Sequence, residues 1–295
     1  AMVLAVQLTA ATADVAMAEV DGSCGSREGV FFAADDFPGT GRFANKRRTP
    51  EQLASAVRSW RTEYSAMGPL SQEQHAQFFD EGFVIVRDLI PHAVLHDAIN
   101  SINDRVDSLA RRLYDGGKIN ETFMGAGFHE RLTLLERAFP NANVLLHKNN
   151  VLSTGIQQVW SDPSLMWAVV QLLGTDADIA GHPVWNLRCK TPEVMSGGQA
   201  TVPWHQDNAY LDEESWDKLQ VTAWVPLLDS NVSNGCMQVV RRSHLSGGTA
   251  THACCVGGTW YTEVTPEELE IALGADMSRD VVTCEVPFGG VLFLN

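Results

Sequence analysis

Val202-Pro203-Trp204-His205-Gln206-Asp207 places an imidazole and a carboxylate two residues apart. On an extended strand, residues i and i+2 point to the same face. His205 and Asp207 therefore converge, while Gln206 points away. An imidazole and a carboxylate supplied in this way suit a first-row divalent metal. They make two corners of the two-His-one-carboxylate triad of non-haem Fe(II) oxygenases, in which three protein ligands on one face leave three positions open. Alone, a His-x-Asp triplet is weak evidence, because a surface His beside a loop Asp has the same letters.

Outward from this stretch, the second half of the chain has strand character. Ile179 to Lys190 and Gln220 to Leu228 read as strands. Asn234-Gly235 is the strongest hairpin signal in the chain, and it predicts that Val221–Leu228 folds back onto Met237–Val240. Val281–Val286, a Pro287-Phe288-Gly289-Gly290 turn and Val291–Leu294 form a second hairpin candidate. The segments 195–201 and 244–278 read as rim loops.

The first half has helical character. Pro50-Glu51 opens a predicted helix to about Met67. Ser71 with Gln74 three residues on is a capping box, predicting a helix from Gln72 to Asp80. Phe83-Val84-Ile85-Val86 reads as a short buried strand. From Ile90-Pro91 to about Tyr114, Val94, Leu95, Ala98, Ile102, Val106, Leu109 and Leu113 form one helical face. Residues 118–150 are poorly patterned. Ser161-Asp162-Pro163 caps a further helix that runs to Leu173 and stops at Gly174. Helices first and antiparallel strands later predict a mainly β domain with N-terminal helices (α+β), of β-sandwich or jelly-roll type.

Composition narrows the function classes. With 295 residues, 45% of them hydrophobic and 19% charged, the chain can bury a sizeable core. Its formal net charge of -15 disfavours nucleic acid and anionic membrane surfaces. No uncharged apolar run is long enough for a membrane span. The six cysteines contain no Cys-x-x-Cys, so a zinc ribbon has no support. Residues 1–18 are small and apolar, and Ala16-Met17-Ala18 has the form of a signal cleavage site. A basic leader is missing and Asp14 interrupts the run, so a soluble, cytoplasmic or organellar protein is favoured over a secreted one, with the compartment open.

Several segments together carry a resemblance. Val202–Asp207, Thr222-Ala223-Trp224-Val225-Pro226-Leu227, Asn234-Gly235-Cys236-Met237-Gln238-Val239-Val240 and Ser243-His244 resemble the phytanoyl-CoA dioxygenase family in order and spacing. The segment from Gln74 to Ile90 resembles the family's N-terminal signature. The resemblance spans roughly residues 70–295. It implies a double-stranded β-helix, a form of jelly roll, that uses Fe(II), O2 and 2-oxoglutarate to hydroxylate an unactivated carbon.

Carried over position by position, the resemblance makes His205 and Asp207 the first two iron ligands. Trp224 matches an aromatic residue beside 2-oxoglutarate, and a buried sandwich Trp is the competing reading. Lys148 lies near the spacing of a 2-oxoglutarate-contacting Lys, and Asn186 falls on a cosubstrate-facing strand. Lys190 matches a Lys-x-Pro-like element, where a solvated strand end competes. Asp207 also bears on reaction type, because halogenating relatives replace this carboxylate with a small residue.

Two departures from the family pattern stand out. Arg241-Arg242 replaces a Pro-Gly pair common in relatives. Two charges there could draw an anionic substrate such as a CoA ester, or could be solvated surface arginines. Gly289–Asn295 resembles the strand that delivers the distal iron-binding His, and the sequence stops before that His and the Arg that pairs with 2-oxoglutarate. His244 and His252 lie in the loop after the hairpin and are poor replacements; His129, His147 and His182 read as structural.

The resulting expectation is an irregular and helical extension over 1–70 and an incomplete dioxygenase-like domain over 71–295, truncated at the C-terminus and inactive as it stands. The complete protein would hydroxylate a small organic or acyl substrate. One alternative is a non-catalytic jelly-roll binding protein with a vestigial metal site; another, a cupin-type hydrolase, requires further His ligands close to His205. The sequence leaves oligomeric state open.

Overall fold

The computed structural model describes residues 61–147, 153–174, 189, 201–210, 219–246, 250–254 and 262–295. The chain enters through residues 61–67, which are irregular rather than the end of the helix expected there. Helix α1 (Gln72–Glu81) begins at Ser71 with both halves of the capping box formed. It ends at Gly82, whose φ of 85° is the left-handed conformation that glycine adopts without penalty. A Cβ at Gly82 would also lie 2.6 Å from His244 Nδ1, so this position has two reasons to be glycine.

Strand β1 (Phe83–Val86) leads into α2 (His92–Asp115). Its predicted apolar face is buried: Leu95, Ala98, Ile102, Val106, Leu109 and Leu113 all lie in the main core. Two helices follow where no pattern was read, α3 (Phe128–Ala138) and α4 (Ala142–His147). The buried face of α3 carries Arg131 and Glu136, which obscures its hydrophobic period. Both charges are matched locally. Arg131 donates to Asp107 at 2.9 Å and to the Thr122 carbonyl, and Glu136 accepts the backbone N–H groups of Asn141 and Asn143 at the start of α4. The short α5 (Thr154–Trp160) precedes α6 (Pro163–Leu173). As expected, Asp162 caps α6, with Pro163 in its first turn and Gly174 left-handed at its end.

The strands that follow are β2 (Thr222–Trp224), β3 (Met237–Val240), β4 (Ala253–Cys254), β5 (Thr262–Glu263), β6 (Val281–Cys284) and β7 (Val291–Leu294), with α7 (Pro266–Leu273) between β5 and β6. They form antiparallel sheets β1-β7-β2, β3-β6 and β4-β5. Neither expected hairpin forms. β2 pairs with β7, and β3 pairs with β6. Asn234 belongs to a 3-10 turn capped by Asn231, with Gly235 left-handed at its end, so the dipeptide terminates a loop between sheets. The Pro287–Gly290 turn closes with a 2.9 Å bond from Gly290 N–H to Pro287 O, yet it carries the chain from β6 in one sheet to β7 in another. Residues 244–278 are only partly loop, because they contain β4, β5 and α7. The predicted strand at 179–190 falls outside the described residues except Cys189.

Strand alternation explains the layering. In the β1-β7-β2 sheet, Val84, Val86, Ala223, Val291 and Phe293 enter the large core with α1, α2 and α6. On the other face, Phe83, Trp224 and Leu292 pack with Cys284, Val286, Met237, Val239 and Val282 from the β3-β6 side. The helices thus cover one face of the sheet while β3 and β6 cover the other. This is a sandwich with an outer helical layer, and the described strands do not close into a barrel. Cys284 is a free thiol in the smaller of these clusters.

Candidate metal centre

His205 and Asp207 do not lie on a regular strand. Residues 202–206 belong to no helix or strand and bend at Trp204, and Asp207 opens a 3-10 turn to Tyr210. The two side chains converge nonetheless, with His205 Nε2 3.5 Å from Asp207 Oδ1. Neighbouring groups fix the orientation of each. His205 Nδ1–H donates to the Pro203 carbonyl at 2.8 Å, so in the neutral ring Nε2 is the nitrogen that carries the lone pair. The Thr222 hydroxyl donates to Asp207 Oδ2 at 2.7 Å and leaves Oδ1 on the His205 side.

This donor set fits a divalent ion. Ligating histidines characteristically give their other ring N–H to a carbonyl or carboxylate, and ligating carboxylates are themselves hydrogen-bonded. Donors about 2.1 Å from one ion and at right angles lie roughly 3 Å apart, so the observed pair needs to close by only a few tenths of an ångström. Among the described residues, no group of three or more His, Cys, Asp or Glu is placed to hold an ion.

The pair sits at one end of a sheet face. Thr222 and Trp224 are i and i+2 on β2 and share the face opposite Leu294 and Leu292. Trp224 is buried with Phe83, Cys284 and Leu292, which is the sandwich-core placement. It also lies one same-face step from the threonine that holds Asp207. Strand β7 runs toward this end of the sheet, since Leu294 is the partner of Thr222.

The backbone of the ligand segment is secured by neighbours outside any ladder. Val264 N–H donates to Trp204 O at 2.8 Å. Gln206 turns away from the pair, as its position between two converging residues predicts, and its Oε1 accepts the Ala250 N–H at 2.7 Å. Its own N–H donates to His252 Nε2 at 2.9 Å. His252 is fully buried, and burial pushes its pKa down to about 4, so it is a neutral acceptor at neutral pH.

His252 is therefore committed to the backbone of the ligand segment. His244 is committed elsewhere: its Nε2–H donates to the Phe79 carbonyl at the end of α1, and burial lowers its pKa. Arg241 and Arg242 are partly exposed arginines beside acidic side chains, closer to the surface reading than to the substrate-attracting one. Arg241 lies near Glu81 and Asp280, and Arg242 lies 3.6 Å from Glu81. Arg242 adopts φ 64°, the conformation for which glycine is suited. Lys148, Asn186, Lys190 and His182 lie outside the described residues, and nothing is described of the His147 side chain. The sequence sets Gln206 and His252 aside as non-ligands without giving them a role and does not single out Thr222, although Thr222 precedes Trp224 by the two residues that strand alternation makes meaningful.

Antiparallel sheets packed face to face beneath a helical layer define a helix-covered β-sandwich class of protein. The model of the phytanoyl-CoA dioxygenase family matches residues 78–295, and the chain belongs to that family. Its members share a jelly-roll fold and are generally oxygenases that use Fe(II), 2-oxoglutarate and O2. No curated protein and no solved structure matches the chain. Among the described residues, no helix is long and apolar enough to cross a membrane.

Proposed function

We propose that this chain is an Fe(II)- and 2-oxoglutarate-dependent dioxygenase that hydroxylates a small organic or acyl substrate. The observation that carries this reading is the oriented pair: His205 Nε2 and Asp207 Oδ1 face each other at 3.5 Å, and their second atoms are tied to Pro203 and Thr222. When bound, Fe(II) would supply the oxidation chemistry, in which 2-oxoglutarate, O2 and a substrate C–H bond give succinate, CO2 and an alcohol.

His205 and Asp207 would hold the ion. Thr222 keeps the carboxylate aimed, and the Pro203 carbonyl keeps the imidazole in the ligating tautomer. Phe83, Trp224 and Leu292 make a dry wall along the same sheet face. Trp224 remains a candidate for flanking the cosubstrate on the strength of the family resemblance, beside its role in the sandwich core. Lys148 and Asn186 remain candidates for cosubstrate contact on the strength of the family resemblance. A His a few residues beyond Asn295 would lie near the metal end of the sheet, because Leu294 is opposite Thr222. An Arg further along would pair with the 2-oxoglutarate carboxylate. The presence of Asp207 favours hydroxylation over halogenation.

The test measures 2-oxoglutarate-stimulated Fe(II) binding under nitrogen and succinate formation in air, with and without Asp207→Ala. The expected result is cosubstrate-stimulated binding that Asp207→Ala abolishes, together with loss of turnover in a chain that carries a distal His. Undiminished turnover in Asp207→Ala would sink the assignment. Two candidate ligands stand among the described residues, and the second reading is a jelly-roll binding protein with a vestigial site. It predicts no stimulation of iron binding by 2-oxoglutarate.

A further inference from the structure

A two-ligand segment outside a strand must be held by something other than a ladder. Residues 202–206 belong to no helix or strand, and Gln206 is the residue between the two proposed ligands. Its amide is shared with His205, so fixing that peptide plane limits ψ of His205 and φ of Gln206. Those two torsions set where the flanking side chains point. The group that fixes the plane is His252.

Three hydrogen bonds close a ring. Gln206 N–H donates to His252 Nε2 at 2.9 Å. His252 Nδ1–H donates to Ala250 O at 2.8 Å. Ala250 N–H donates to Gln206 Oε1 at 2.7 Å. The bonds leave both ring nitrogens of His252 occupied, one as donor and one as acceptor. His252 and Ala250 are both fully buried, so breaking the ring would leave polar groups without water to replace their partners. Rings of this kind polarise their members in a low-dielectric interior. Neither His252 nor Ala250 pairs with Gln206 through a strand ladder, and a side chain takes the place that a neighbouring strand's carbonyl would hold.

We infer that His252 is a positioning residue for the His205–Asp207 pair, holding the intervening peptide so that both donors meet one metal ion. This rests on the reading that His205 and Asp207 bind a metal. His252 is not itself a ligand, because its Nε2 is spent on Gln206 N–H. An adjoining apolar cluster of Ala250, Val264, Leu269 and Ala272, with Trp204 packed on it, anchors the ring's far side.

The experiment titrates Co(II) into the full chain as an air-stable probe. Kd is read for wild type, His252→Leu, His252→Gln and Asp207→Ala, and the amide exchange of Gln206 is followed by NMR in the same samples. Far-UV circular dichroism checks folding, and Gln206→Ala opens the ring from its partly exposed side if His252→Leu does not fold. His252→Leu is expected to raise the Co(II) Kd by about tenfold or more. It should also speed Gln206 exchange by about tenfold or more, the equivalent of one lost hydrogen bond.

His252→Gln offers an acceptor at nearly the position of Nε2 and should restore both readouts to within about threefold of wild type. Gln206→Ala should shift Kd in the same direction as His252→Leu. Wild-type binding of Co(II) that His252→Leu or Gln206→Ala leaves unchanged would overturn the positioning role alone. Loss as complete as in Asp207→Ala, without rescue by His252→Gln, would make His252 a ligand and overturn it as well. Wild-type protein that binds no Co(II) would sink the metal reading, and this role with it.

Discussion

Gly155→Ala sets two physical effects against each other. Gly155 lies in the first turn of α5, where alanine should improve helix propensity by at most about 1 kcal/mol. The same methyl group would collide with the Asp97 carbonyl oxygen of α2 and lie 2.8 Å from Ala98 Cα. Both obstacles are backbone atoms of a buried helix, and neither can rotate away as a side chain could. Overpacking of this kind typically costs about 1–3 kcal/mol, and a backbone obstacle argues for the upper end. Subtracting the propensity gain leaves a net loss of about 2 kcal/mol. For a folded unit of this size that corresponds to a fall in Tm of about 4–8 °C. Alpha5 is also tied to α2 by the Ser101–Ser153 hydroxyl contact of 2.7 Å, so the two helices cannot part without a further loss. Thermal and urea unfolding of wild type, Gly155→Ala and Gly125→Ala would measure the balance. A Cβ at Gly125 meets nothing within 4 Å, so that control should stay within about 0.5 kcal/mol of wild type. Equal or higher stability of Gly155→Ala would refute the close α2–α5 contact.

Other perturbations test separate features. Arg242→Gly and Arg242→Ala both remove the guanidinium near Glu81, so their difference isolates the φ of 64°; glycine should be more stable by about 1 kcal/mol in urea unfolding. Asp162→Ala should cost about 1 kcal/mol, because the N–H groups of Ser164 and Leu165 lose their cap; an unchanged urea midpoint would remove that role. Burial lowers the pKa of His252 from 6.5 to about 4, so the unfolded chain takes up this proton first. Its contribution is complete above about pH 6.5 and is lost as pH falls to about 4, amounting to about 3 kcal/mol at most. His75, His129 and His244 are lowered by burial too and add acid sensitivity of the same sign. The stability difference between wild type and His252→Gln should therefore shrink between pH 7 and pH 4.5, and a difference independent of pH would contradict a neutral buried imidazole.

Local signals in the sequence were sufficient where one residue's own chemistry decides the outcome. Ser71 with Gln74, Asp162 before Pro163, and the apolar stripe of α2 each act within a few residues of chain, and each appears as read. Helix α3 was hidden because Arg131 and Glu136 occupy its buried face, and their partners Asp107, Asn141 and Asn143 are not marked by any short-range pattern. Strand pairing failed for a related reason. Asn234-Gly235 has the backbone freedom for a hairpin, but the turn it makes is set by Asn231 capping the residues before it, and β2 and β3 find better partners in β7 and β6.

By itself, the sequence determined the succession of helices and strands, the residue types that suit a metal, and the family to which their order belongs. The tertiary structure decided how those residues are held. His205 and Asp207 meet without a strand beneath them because the Pro203 carbonyl and the Thr222 hydroxyl orient their side chains, while His252 accepts the Gln206 N–H that a ladder carbonyl would otherwise take. His252 lies 46 residues from Gln206 along the chain. No periodicity links two such positions, since only packing of the intervening segments brings a buried imidazole against that particular peptide.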